Sequence, residues 1–288
     1  MSLKNWIKLN ILIKSNRYRN KQTMRISGVS SNKVNLEYWE HAKNLGDCLS
    51  PIIVNWLLEK KGLSLETEIK GIKHLYAIGS VIGMGGTFDA TIWGSGLHTK
   101  EAVERVYKQR KLRDYDIRAV RGPRTAEVMK KAGYNCPDIY GDPAVILPEL
   151  YAPEIVEKKY KYSLIHHYTK KIENTVENDV QIIDILTSDY EKLINKIVSS
   201  ECVISSSLHG IILAESYGVP AIFLNEGMDG EIFKFYDWYY STGRKKVIMA
   251  KSVSEAMKIT PMELPDLSRM KTDLIRAFPY DLWTENLK

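Results

Sequence analysis

Long apolar runs are missing from this chain: no stretch approaches the roughly 18 apolar residues of a membrane-spanning helix, so a soluble protein is expected. Cysteine is scarce as well. Cys48, Cys136 and Cys202 are widely spaced with no CxxC pair, which argues against a disulfide framework and against a zinc site, so no metal is expected and a cytoplasmic setting follows. No GxGxxG, GKS or GKT segment occurs, which removes the usual nucleotide-binding loops. A GxSxG elbow is absent too, so Ser207 and His209 do not read as a serine hydrolase pair. Without the small-residue cleavage site of a secretory signal, a sugar-binding protein of the cell envelope is disfavoured. Charge of one sign is also lacking: 41 Lys and Arg against 35 Asp and Glu leave a formal +6, too mild to demand nucleic acid and equally suited to small anions or an anionic membrane surface.

What is present is a globular composition, 44% apolar and 26% charged, in a 288-residue chain long enough for two domains. Residues 1–24 set Trp6, Ile7, Leu9, Ile11, Leu12 and Ile13 among Lys4, Lys8, Lys14, Arg17, Arg19 and Lys21. Such a segment suits peripheral contact with an inner membrane surface, a helix docked on the core or a contact between copies.

Beyond it, strands and helices alternate. Strands are predicted at 33–38, 74–78, 90–93, 116–120, 139–143, 162–166, 181–186, 202–204, 221–224 and 246–249, with helices at 49–60, 123–132, 208–217 and 267–278. Pro51 falls in the first turn of the second-named segment's predecessor, the helix at 49–60, where proline is tolerated. The alternation predicts two Rossmann-like, doubly wound α/β domains facing a cleft. We place them at 25–155 and 156–262, followed by a closing helix and tail at 263–288 that crosses back to the first domain.

The richest stretch is Cys202–Asn225, CVISSSLHGIILAESYGVPAIFLN, a β-α-β unit with Gly218 at the helix C′ position and Pro220 beyond it. Ser205, Ser206, Ser207 and His209 crowd its strand-to-helix junction, where free backbone N–H groups and the helix dipole suit an anion. A serine there also serves as a plain N-cap. Glu215 interrupts the apolar stripe of Leu208, Ile211 and Ile212, and a buried acid calls for a partner.

Other strand ends are polar too. Asn44, Gly46 and Asp47 form a loop before the helix at 49–60, whose simplest reading is a turn with an aspartate cap. Gly79–Gly86 is glycine-rich, and Gly94-Ser95-Gly96 ends the strand at 90–93. Arg121 and Arg124 open the helix at 123–132 against its dipole, which makes sense if an anion sits there or if they salt-bridge a neighbouring loop. His166 and His167 follow the first strand of the second domain, pointing to opposite faces, so one of them can face the cleft. The aromatic run Phe233–Tyr240 is either core or a platform for a sugar ring, with Lys234 and Arg244 as anion ligands.

The series NLGDCLSP, YAIGSV, WGSG, RAVRGPRT, YGDPA, VISSSLHGIILAESYGVPA and FKFYDWYYSTGR resembles the polysaccharide pyruvyl transferase family, closest to the ketal pyruvate transferases of exopolysaccharide assembly. The resemblance implies a GT-B-like fold, phosphoenolpyruvate as co-substrate with no separate cofactor, and a lipid-linked oligosaccharide or glycan as acceptor. It implies a role for His209 and donor-holding roles for Arg121 and Arg244. Where some relatives carry a basic residue before the Leu-His pair, this chain has Ser207. Adding a sugar hydroxyl to the donor needs one acid and one base. His209 is assigned as proton donor and Asp47 as acceptor-side base, with Asn44, Gly46, Ser95, Arg121, Arg124, Ser206, Ser207, Leu208, Lys234 and Arg244 as binding residues. The rival is a GT-B-type glycosyltransferase using a nucleotide sugar, with Glu215 on the ribose.

Overall fold

The computed structural model describes residues 32–39, 42–82, 88–154, 157–170, 180–227 and 229–284. The basic segment at 1–24 and Gly83–Gly86 of the glycine-rich loop lie outside the described residues.

Two parallel sheets carry the fold. In the first, β1 (Val34–Glu37), β2 (Lys73–Tyr76), β3 (Ala90–Trp93) and β4 (Tyr115–Ala119) run in sequence order, and a parallel bridge from Val120 to Tyr140 extends the edge. Helices α1 (Leu45–Glu59), α2 (Lys100–Gln109) and α3 (Pro123–Lys131) accompany them. A 3₁₀ turn at Pro143–Ile146 and the short α4 (Leu147–Leu150) lead to the second sheet. It is built from β5 (Tyr160–Ile165), β6 (Val180–Ile182), β7 (Ser200–Ser205), β8 (Ala221–Leu224) and β9 (Met249–Ala250), in the order β6-β5-β7-β8-β9. Helices α5 (Tyr190–Val198), α6 (Leu208–Ser216), α7 (Ile232–Ser241) and α8 (Val253–Ala256) intervene, and α9 (Ser268–Arg276) and α10 (Asp281–Thr284) follow. β3 and β8 are buried at every residue, as strands covered on both faces must be.

The second sheet has the doubly wound order in which the chain reverses direction between β5 and β7. Ligands in such sheets lie beyond the carboxyl ends of the strands at that reversal. Here those ends lead into His166-His167 and Ser206-Ser207.

One apolar layer joins the two sheets: Leu45, Leu49 and Ile53 of α1 share a core with Ala144–Leu147, with Ile165 and Val203, and with Leu208, Ile211 and Ile212 of α6. The Leu45 N–H donates to the Ile185 carbonyl at 2.9 Å across this junction. Helix α9 returns to the first sheet, where the Trp93 indole N–H donates to the Leu274 carbonyl at 2.9 Å. Among the described residues, no helix is long and apolar enough to cross a membrane.

Local differences from the sequence pattern have physical causes. Helix α1 begins at Leu45, because the Asn44 side chain accepts from the Gly46 N–H at 3.2 Å; Asn44-Leu-Gly-Asp47 is therefore a cap and first turn, and the cap is Asn44 rather than Asp47. With that earlier start, Pro51 lies inside the helix and not in its first turn. Helix α2 is absent from the sequence pattern because it buries little beyond Ala102 and Val106, too few positions to write an apolar period.

Candidate active site

The first turns of α1 and α6 meet face to face. Helix α6 brings His209 in its first turn, and the imidazole lies flat over Gly46: a Cβ built on Gly46 would sit 1.8 Å from His209 Nδ1. Only glycine permits that approach. The opposite ring nitrogen, Nε2, is 3.6 Å from Oδ2 of Asp142, and both atoms are buried without a hydrogen-bond partner among the described residues. Asp142 caps the 3₁₀ turn through Oδ1, which accepts from the Ala144 N–H at 3.1 Å, so its second oxygen is held pointing at the imidazole.

Asp47, one residue beyond Gly46, completes the arrangement. Its carboxyl is pushed up to about 6, first by burial; the charges of His209 and Lys234 hold it down and that of Asp142 pushes it further up. The carboxylate rests against Gly79, where a Cβ would come within 2.9 Å of Oδ1 and where the backbone at φ +100° favours glycine in any case. Lys234 arrives from α7, is buried, and pairs with Glu231; burial pulls its ammonium below the ordinary range, while Glu231 and Asp47 counter the effect. His98 and His167 lie in the same field. Burial lowers His98 to about 4, with Glu231 opposing and Lys234 and Arg121 reinforcing the shift, and it lowers His167, whose Nε2 is 3.8 Å from Glu231.

The serines divide by role. Ser205 Oγ accepts from the Ser207 N–H at 3.0 Å and braces the junction. Ser206 accepts from the His167 N–H at 2.7 Å and donates to Glu226 at 2.8 Å, tying β7 to β5 at the reversal point. Ser207 occupies the N-cap position of α6 yet makes no capping hydrogen bond with its side chain. The first-turn N–H groups of a helix have no intrahelical acceptor, and in α6 they stand next to His209 in the sequence. The Leu208 side chain points away into the shared core, so only its backbone is placed for a ligand.

The structure gives each of the three arginines a partner within the protein. An anion does sit at the opening of α3, but it belongs to the protein: Asp237 of α7 accepts from the Thr125 N–H at 2.9 Å and from Thr125 Oγ1 at 2.7 Å. Arg121 is fully buried with its Nε 3.3 Å from Asp237 Oδ2, and it donates to Ser80 Oγ at 2.7 Å and to the Leu97 carbonyl. It fastens the strand ends together and presents no free surface to a donor. Arg124 stacks over Phe233 and Tyr236, with its guanidinium carbon 4.9 and 5.5 Å from the ring centroids. Arg244 clasps Glu215 through two hydrogen bonds of 2.6 and 2.8 Å, and Trp238 Nε1 donates to the same carboxylate at 2.9 Å. Glu215 thus has the partner its burial demands, and Arg244 and Glu215 occupy each other. Ser95 is likewise a brace: it donates to the Gly79 carbonyl at 2.9 Å and accepts from the Val81 N–H at 3.2 Å.

Of the residues picked from sequence, Asn44, Gly46, Asp47, Ser207, His209 and Lys234 come together. His167, one of the two histidines of which one was expected to face the cleft, joins them, and so do Asp142, His98 and Glu231, which the sequence reading did not single out. Asp142 had one signal, an Asp-Pro pair directly after a strand end, where carboxylates cap turns and face the sheet's open edge. Among the described residues, no group of three His, Cys, Asp or Glu side chains is arranged to hold a metal ion.

Comparison with known proteins gives the following likenesses. The succinoglycan biosynthesis protein ExoV of Rhizobium meliloti (strain 1021) is 27% identical over 238 residues, covering 76% of this chain and 69% of that one. An uncharacterized protein, L143, of Acanthamoeba polyphaga mimivirus is 28% identical over 220 residues, covering 72% and 73%. A crystal structure of an uncharacterized protein from Klebsiella pneumoniae aligns over 88% of this chain at 16% identity with a TM-score of 0.45, too loose a likeness to define the fold. The family model for polysaccharide pyruvyl transferase matches residues 87–227, the segment that holds Asp142, the serine-rich junction and His209, so over this segment the chain is similar to that family.

Proposed function

We propose that this enzyme transfers pyruvate from phosphoenolpyruvate to two hydroxyls of one sugar in an exopolysaccharide or cell-surface glycan, forming a cyclic ketal and releasing phosphate. The observation that carries the reading is the meeting of His209, Asp142 and Asp47 at two apposed helix N-termini with Lys234 beside them. In the first step Asp47 takes the proton of one sugar hydroxyl as its oxygen bonds to C2 of the donor. The C2=C3 pair captures a proton from the His209 imidazole, and C3 becomes a methyl group. A second hydroxyl of the same sugar then displaces phosphate from C2, and its proton leaves with the phosphate or returns to the imidazole. Asp142 orients the ring by facing Nε2. Ser207, the first-turn N–H groups of α6 and Lys234 hold the phosphate, as anions are held at helix starts with a charged donor nearby.

A GT-B-like arrangement, with which the two parallel sheets are compatible, is part of this proposal, as is an acceptor presented on a lipid carrier at the cytoplasmic face of the membrane. The reaction as drawn needs no cofactor beyond the co-substrate. The test is incubation of the pure protein with labelled phosphoenolpyruvate and a panel of sugar glycosides, read by phosphate release and mass spectrometry. Addition of pyruvate with loss of water is expected. Release of a nucleotide from a sugar nucleotide, with phosphoenolpyruvate untouched, would overturn the reading.

A further inference from the structure

A cavity of about 200 Å³ opens at the carboxyl ends of β5 and β6, beside the reversal point of the second sheet. Its walls include His166, Tyr168 and Lys170 from one loop and Asp184, Ile185 and Leu186 from the other. None of these residues has a part in the chemistry described above. The cavity is nevertheless fastened to it on two sides. The Ile185 carbonyl accepts from the Leu45 N–H at 2.9 Å, and Leu186 bridges to Asn44, so one wall continues into the turn that carries Asp47. On the other side, the His167 N–H reaches Ser206 at 2.7 Å, at the root of the His209 helix. Burial pushes the Tyr168 phenol up, and the charges of Glu231 and then Asp47 add to the effect.

We propose that this cavity binds the acceptor, seating a single sugar ring beside the turn that carries Asp47. The inference rests on the pyruvyl-transfer reading above. Charge decides between acceptor and donor. The cations at the cavity are already matched: His166 Nδ1 is 2.6 Å from Glu226, Lys170 Nζ is 3.7 Å from the other oxygen of Glu226, and Asp184 adds a further negative charge. A phosphate-bearing carboxylate would be repelled there. A neutral ring with hydroxyls around its edge is well served by alternating carboxylate, ammonium and imidazole groups with an apolar wall of Ile185 and Leu186. Size agrees, because the cavity falls below the roughly 300–1,000 Å³ of sites for drug-sized ligands and holds one ring rather than a chain. Leu186 is 41% exposed, so the remainder of a longer glycan has a way out past it.

The test uses the full chain, phosphoenolpyruvate, and p-nitrophenyl glycosides of galactose, glucose and mannose. Leu186→Trp fills the cavity from an exposed position, and Asp184→Ala removes a carboxylate whose recorded hydrogen bond is the local one from the Leu186 N–H at 2.9 Å. Both variants are expected to raise the acceptor KM by about tenfold or more, as loss of a sugar's hydrogen bonds or ring contacts would, with the donor KM essentially unchanged. An unchanged acceptor KM, or a rise in donor KM instead, overturns the assignment. If the native protein transfers no pyruvate, it is the reading of its function that has failed. Saturation-transfer NMR with the same glycosides still tests the cavity: signals lost in Leu186→Trp support it, and signals equal in native and variant proteins overturn it.

Discussion

Replacing Gly46 by alanine tests the placement of the imidazole most directly. The new Cβ would lie 1.8 Å from His209 Nδ1 and 2.1 Å from Cγ, whereas a relaxed contact needs about 3.5 Å. The ring must therefore retreat by roughly 1.5 Å, away from the place where it faces Asp142. Overpacking of this kind costs about 1–3 kcal/mol. Alanine in place of glycine within a helix returns up to about 1 kcal/mol, so the net loss is about 0–2 kcal/mol. For a chain of this size that lowers Tm by at most several degrees, at roughly 2–4 °C per kcal/mol. Turnover should fall much further, since a misplacement of about 1 Å at a reacting group costs roughly a hundredfold. The decisive assay is a double-mutant cycle with His209→Ala, followed by thermal or denaturant unfolding. With the ring removed, Gly46→Ala should become neutral or stabilising, a coupling of about 1–3 kcal/mol. Coupling below about 0.5 kcal/mol, or near-native turnover in Gly46→Ala, would refute the claim that the ring acts from over Gly46.

Three further substitutions separate chemistry from architecture. Asp47 has its folded-state carboxyl raised from 3.8 to about 6, so its contribution to stability is fully present below pH 3.8 and is lost as pH rises through about 6; Asp47→Asn should therefore unfold at a higher temperature than the native chain at pH 8, by an amount equivalent to at most about 3 kcal/mol, while losing turnover, and equal melting at pH 8 would sink this account. Arg121→Met strands the buried carboxylate of Asp237 and should destabilise by about 3–5 kcal/mol in denaturant titration, and intact stability with weakened donor binding would restore Arg121 as a donor ligand. Arg244→Ala should cost about 3 kcal/mol by leaving Glu215 to Trp238 alone, with the donor KM unchanged; a raised donor KM at native stability would contradict the structural role.

The β-α-β unit around the serines was legible because each of its signals is local. Gly218 does occupy the C′ position at φ +73°, and the helix ends where Pro220 requires it to. The pairing of Asp47 with His209 could be suspected from chemistry, since both follow strand ends. What the sequence could not disclose were partners brought in by folding. Two arginines at a helix start correctly called for an anion, yet Asp237 supplies it from 112 residues beyond Thr125. Its one trace was a lone carboxylate inside an aromatic run whose Phe235, Trp238 and Tyr239 recur at helical spacing. Asp142 escaped for a related reason: a strand-end aspartate reads as a turn residue until the imidazole opposite it is known.

The charge around Asp47 leads to a consequence that pH–rate profiles can check. In the free enzyme the carboxyl is pulled two ways, held down by His209 and Lys234 and raised by burial and Asp142. A donor bearing phosphate and carboxylate brings further negative charge beside the same groups and occupies Lys234. Both effects disfavour ionised Asp47 and move its pKa upward, making it a stronger base at the moment it must take a hydroxyl proton. The acid limb of kcat/KM for the donor reports the free enzyme and should fall near pH 6, whereas the acid limb of kcat reports the loaded enzyme and should lie at higher pH. Were the kcat limb to lie at lower pH instead, the donor's charge would not be reaching Asp47, and the carboxylate would have to be given up as the acceptor-side base.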